Sequence, residues 1–91
     1  MHKYEVLYII RSGLEDEAKN ALIERFNAII TQGGGTVDDI EEWGKRKLAY
    51  PIDDENEGYY VLEHFTSGTE LPRELERNFR ISDDVLRYLV T

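Results

Sequence analysis

Trp43-Gly44-Lys45-Arg46-Lys47-Leu48-Ala49-Tyr50-Pro51-Ile52 sets three consecutive cations between aromatic and aliphatic residues, in a chain of formal net charge -8. We read it as part of the second strand, Thr36 to Tyr50, closed by Pro51. Val37, Ile40, Trp43 and Leu48 do not hold one parity along that strand. A bulge near Glu41–Gly44 restores the alternation, because each inserted residue exchanges the two faces. Glu41, Glu42, Lys45, Arg46 and Lys47 make the strand heavily charged, which suits an exposed sheet edge that must not pair with another chain. The cation run has a second reading, contact with phosphates or with an acidic partner. Arginine suits bidentate recognition of either, and three charges concentrate a local field.

Placed at an edge, this strand divides the sequence into two similar halves, each a strand, a helix and a strand. Upstream, Lys3 to Ile10 alternates. Tyr4, Val6, Tyr8 and Ile10 share one face, and Glu5, Leu7 and Ile9 the other. Both faces are largely apolar, as in a central strand. Arg11-Ser12-Gly13-Leu14-Glu15 turns into a helix, with Ser12 and Glu15 spaced as a capping box. The helix runs to about Gln32, with Ala18, Ala21, Leu22, Phe26, Ile29 and Ile30 as its apolar stripe. Lys19, Asn20, Glu24, Arg25 and Asn27 form its wet side. Gly33-Gly34-Gly35 follows the helix and ends it. A phosphate-cradling loop would precede a helix and use its N-terminal amides.

Downstream, Asp53-Asp54-Glu55-Asn56-Glu57-Gly58 reads as a solvated loop. Its spacing echoes the start of a calcium loop, but His64 falls where the closing glutamate belongs and no helix follows. Tyr59 to Phe65 is the third strand. Tyr59, Val61, Glu63 and Phe65 oppose Tyr60, Leu62 and His64, and either set suits a buried face. The second helix starts near Glu70 with Thr69 or Ser67 as cap, tolerates Pro72 in its first turn, and buries Leu71, Leu75 and Phe79. Ile81 to Asp84 turns the chain into a fourth strand, Val85 to Val90. The order β-α-β-β-α-β predicts an α+β, ferredoxin-like domain: a four-stranded antiparallel sheet with two helices on one face. Strands one and three lie in the middle. The other sheet face stays open, with Glu5, Leu7, Ile9, Arg87 and Leu89 among its residues, and an open apolar face with an arginine is a candidate partner surface.

Ninety-one residues make a single domain, 1–91, with one core, since so short a chain buries only about 60–65% of its unfolded surface. The absence of cysteine excludes a disulfide framework and thiolate chemistry. No run approaches the ~18 apolar residues of a membrane span and no signal segment precedes the first strand, so a cytoplasmic protein is expected. An excess of 19 acids over 11 bases argues against binding nucleic acid through the whole surface, though not through a local basic site.

No catalytic, cofactor or metal site is expected. His2 lies at a terminus, and His64, structural or ligating, has no partner at a defined spacing. Adjacent acids on a strand point to opposite faces and make no dyad. Gly58-Tyr59-Tyr60-Val61 is a poor match to the single-strand RNA readers of this fold, which begin their signature with a cation where this chain has Glu57. An acyl-phosphate hydrolase would need an anion cradle after the first strand, where Arg11-Ser12-Gly13-Leu14 offers one cation.

The sequence resembles the bacterial ribosomal small-subunit protein number six family. The resemblance lies in Lys3-Tyr4-Glu5, in Trp43 to Ile52, in Glu57-Gly58-Tyr59-Tyr60-Val61, in Leu75-Glu76-Arg77, and in Arg80 to Asp83 with Val85 to Tyr88. It implies the fold just deduced and a structural role on the ribosome: binding the central domain of small-subunit ribosomal RNA together with ribosomal small-subunit protein number eighteen. By position it implies RNA contact at Lys3, Tyr4 and Arg87. It implies contact with the protein partner along Glu41, Glu42, Lys45, Arg46 and Lys47, where alternating charge would fix register. No small-molecule substrate, membrane or cofactor is implied. Relatives are often basic where this chain has Asp53, Asp54 and Glu55, which takes that loop out of the expected RNA contacts. Relatives also often continue past the position of Thr91 into a C-terminal tail that can lie on the partner. The other reading is a self-associating or ligand-sensing domain of the same fold.

Overall fold

A computed structural model describes residues 1–52 and 54–91. The elements are β1 (His2–Arg11), α1 (Asp16–Gln32), β2 (Thr36–Ile52), β3 (Glu55–Ser67), α2 (Leu71–Ile81) and β4 (Val85–Val90). The antiparallel sheet has the order β2-β3-β1-β4, so the two strands with apolar residues on both faces take the middle. Both helices pack on one sheet face. Leu22, Phe26 and Ile30 of α1 and Leu75 and Phe79 of α2 share a core with Val6, Tyr8, Ile10, Val61 and Phe65. At its centre Tyr8, Phe26 and Phe79 meet with ring centroids 4.5–5.4 Å apart, and Tyr88 stacks on Phe79 from β4.

Several local expectations change. Ser12 does not cap α1. The helix begins at Asp16, and Glu15 stands at its N-cap without a side-chain hydrogen bond. Asp16 and Glu17 in the first turn offset the positive end of the helix dipole instead. The buried stripe is Leu22, Ile23, Phe26 and Ile30, while Ala18 and Ala21 are exposed. Neither Thr69 nor Ser67 caps α2. Glu70 is the N-cap, and Ser67 is the buried last residue of β3, its hydroxyl donating to Gly68 O. The predicted loop after Pro51 is mostly strand: β3 already starts at Glu55, and Asp54 turns with φ 65°. Asp53, counted in the calcium-like spacing, lies outside the described residues.

The predicted bulge is present between Glu42 and Gly44, with further register shifts between Val37 and Asp39 and between Lys47 and Ile52. Gly44 has φ 86°, a conformation side chains with a Cβ rarely adopt. Register settles the faces of β3. Tyr59, Val61, Glu63 and Phe65 lie opposite the helix-facing residues of β1, and Gly58, Tyr60, Leu62 and His64 lie opposite Arg11, Ile9, Leu7 and Glu5 on the open face.

That face is less open than expected. Leu48 is only 7% exposed. It approaches Gly58, whose missing side chain leaves room for Ile9. β2 and β4 are opposite edges of the sheet, yet the Arg87 guanidinium lies 5.1 Å from the Tyr50 ring centroid. The far end of β2 therefore folds back across the open face and covers Ile9. A Cβ at Gly58 would overlap Ile9 Cγ2 and also touch Leu48. Gly58→Ala should accordingly destabilise the domain by about 1–3 kcal/mol, the usual range for an overpacked core position. Denaturant unfolding checks this, and an unchanged midpoint would contradict the packing described.

Candidate nucleic-acid and partner interface

Lys3 is exposed near the start of β1, opposite Thr66. Arg87 is exposed on β4, opposite Ile9. The two share the open face but stand six residues apart along β1, roughly 20 Å at ordinary strand rise. As candidates for contact they are two separate points rather than one site. Tyr4 lies on the helix side of the sheet, half-buried, its ring stacked on Phe65 at 5.5 Å. A shallow groove joins Lys3 and Tyr4 to Glu5, Asp38, His64 and Thr91. In it His64 Nε2 lies 3.1 Å from Glu5 and Nδ1 lies 3.8 Å from Asp39. Only the contact with Glu5 is a hydrogen bond, and it joins the partly exposed ring to β1. Among the described residues no cluster of histidine and carboxylates could hold a metal ion.

The charged run of β2 does not present one face. Glu41 and Arg46 oppose Leu62 and Gly58 on the open side, whereas Glu42 and Lys45 oppose Val61 and Tyr59 on the helix side. Lys47 opposes Glu57 across the hairpin. Arg46 lies over the Trp43 ring at 5.2 Å, and Trp43 is stacked with Tyr60 at 6.3 Å and 12°. Glu42 accepts a 2.7 Å hydrogen bond from the Tyr59 hydroxyl. Partial burial, with that bond to Glu42 second, pushes the Tyr59 hydroxyl up to about 12. Any chain laid along this edge meets cations and carboxylates from both sides.

Three features here were not singled out from the sequence. Trp43 pairs with Tyr60 on the open face, Tyr50 supports Arg87, and Arg46 leaves Lys45 and Lys47 for the open side. Alternation about the bulge would have found the first and third, while Tyr50 reaches β4 only through the fold-back. Trp43 is 40%, Tyr50 55% and Leu89 62% exposed, so the open face keeps a broad apolar and aromatic surface edged by Arg46 and Arg87. With these groups it can stack against planar groups, bury apolar side chains and pair with anions.

Comparison with known proteins places this geometry in context. The family model described as "Ribosomal protein S6" matches residues 3–91. The chain is 53% identical over 90 residues to the small ribosomal subunit protein bS6 of Clostridium novyi, covering 99% of this chain and 95% of that one. It is 51% identical over 90 residues to the bS6 of Caldanaerobacter subterraneus, with the same coverage. The crystal structure of 30S ribosomal protein S6 from Thermotoga maritima superposes with a TM-score of 0.93 at 32% identity, covering 98% of this chain and 84% of that one.

Proposed function

From the premise that the chain belongs to the ribosomal protein S6 family, we propose that it binds the central domain of small-subunit ribosomal RNA together with ribosomal small-subunit protein eighteen. It is a structural protein of the small ribosomal subunit in the cytoplasm, not an enzyme. The observation that carries the binding reading is the exposed aromatic and apolar open face edged by Arg46 and Arg87. Lys3 and Arg87 are the groups assigned to RNA phosphates, with Tyr4 beside Lys3. Glu41, Glu42, Lys45, Arg46 and Lys47 are assigned to the protein partner. Register puts Glu41 and Arg46 on the open side and Glu42 and Lys45 on the other, which supports an edge read from both sides.

A chain of net charge -8 repels naked RNA at long range. It needs a basic co-binder to neutralise the phosphates. Affinity for a central-domain RNA fragment should therefore be weak alone and should rise by at least about tenfold when the basic partner is added, a difference of ~1.4 kcal/mol. Arg87→Ala should weaken the ternary complex and lower its salt dependence, while Arg46→Ala with Lys47→Ala should weaken binding of the partner itself. Titration over a salt series measures both. Equal RNA affinity with and without the partner would defeat the proposal, and a concentration-dependent dimer without RNA would favour the self-associating reading.

A further inference from the structure

Beyond Lys47 the β2–β3 ladder skips. Lys47 faces Glu57 and Ile52 faces Glu55, so five steps along β2 meet two along β3. The surplus residues bow out of the sheet. Pro51 has no N–H to leave unpaired there. Leu48 anchors the bow, buried beside Gly58. Tyr50, two residues on, reaches β4 at the far edge of the sheet, where the Arg87 guanidinium lies over its ring, 5.1 Å from the centroid.

We infer that Tyr50 is a positioning residue, whose ring orders the Arg87 guanidinium for an RNA phosphate; the inference rests on the RNA-binding reading above. Among the described residues Arg87 enters no ion pair and no side-chain hydrogen bond. Its neighbours on the open face are Ile9 across the ladder and Leu89 along β4, both apolar. An untethered arginine spreads over many rotamers, and fixing them on binding costs affinity. An aromatic ring holds a guanidinium by its face. The in-plane N–H donors stay available, and those are the donors that grip a phosphate bidentately. An exposed tyrosine beside an exposed arginine is ordinarily a passing contact. Here the burial of Leu48 fixes the bow, so the fold itself presents the ring to Arg87.

Two measurements test this: NMR relaxation of the Arg87 Nε–Hε group in the free domain, and binding of the central-domain RNA fragment by the domain with its basic partner over a salt series. Tyr50→Leu removes the aromatic face, and Tyr50→Phe keeps it. In the free domain the Arg87 Nε should be ordered in the wild type and in Tyr50→Phe, and mobile in Tyr50→Leu. Tyr50→Leu should weaken RNA binding about two- to fivefold. Its salt slope should not change, because the charge remains, whereas Arg87→Ala lowers that slope. In an Arg87→Ala background Tyr50→Leu should add no further loss. An Nε equally mobile in the wild type and in Tyr50→Leu, or a Tyr50→Leu loss that persists in full without Arg87, would overturn the assignment. An equal loss with Tyr50→Phe would overturn it too, by making the hydroxyl the contact. Arg87→Ala binding RNA as tightly as the wild type would instead overturn the RNA reading on which this rests, and the relaxation of the free domain does not depend on that outcome.

Discussion

Glu63→Gln should make the domain about 3 kcal/mol more stable at pH 8 and leave it almost unchanged at pH 4. Glu63 is 1% exposed and faces α1 from the centre of β3. With its amide nitrogen turned inward, Asn27 donates to both carboxylate oxygens at 2.8 Å, the one polar partner of this carboxyl among the described residues. Burial pushes the carboxyl up from 4.5 to about 7. Between those values the folded chain holds a proton that the unfolded chain has released, so stability falls as pH rises through that window. The protonated carboxyl's contribution is complete below about 4.5 and gone above about 7. Two and a half pH units at 1.36 kcal/mol each give the expected difference. Glutamine keeps the shape, cannot ionise, and meets Asn27 with one donor and one acceptor. Other carboxylates move both proteins alike, so the difference between the two unfolding curves across pH 4–8 isolates Glu63. Parallel curves would refute the assignment.

Phe79→Ala should cost about 3–5 kcal/mol, the range for removing a fully buried phenylalanine. Phe79 is where the two helices meet β1 and β4: its ring lies within 5.4 Å, between centroids, of Tyr8, Phe26 and Tyr88. Its removal would strip three aromatic contacts and leave a void that the rigid sheet beneath cannot close. A small domain holds only about 5–15 kcal/mol in total, so the variant should stand close to the unfolding threshold at 37 °C. Ile81, two residues on and exposed, is the control, and Ile81→Ala should stay within about 0.5 kcal/mol. A loss below about 1 kcal/mol at Phe79 would mean that the cluster is not the keystone of the core.

Element order, sheet order and the bulge at Gly44 were legible in the sequence because they rest on periodicity and on glycine. What failed was local and has identifiable causes. Ala18 and Ala21 count as apolar in a pattern yet are too small to require burial. Ser12 and Glu15 have the spacing of a capping box, but the helix starts later, and Ser12 lines a cleft that no neighbour in sequence announces. Asn27 read as wet and the face of Glu63 was left open, and only their meeting across two elements explains a carboxyl buried in the core. The candidate interface rests on the resemblance more than on spacing. The family resemblance selected Lys3, Arg87 and the β2 edge, but spacing alone could not say that Lys3 and Arg87 lie far apart, or that Tyr50 folds back beneath Arg87.

The bulge at Gly44 also acts as a phase shifter. Ahead of it, odd-numbered Glu41 looks to the open face; beyond it, even-numbered Arg46 does. One residue of slack thus decides, for everything downstream, from which side it is read. A substitution at Gly44 that straightened the strand would add or remove no charge. It would transpose the addresses of Lys45 and Arg46 and lift Leu48 from its seat over Ile9. Chemistry on both sides of this sheet hangs on a position with no side chain at all.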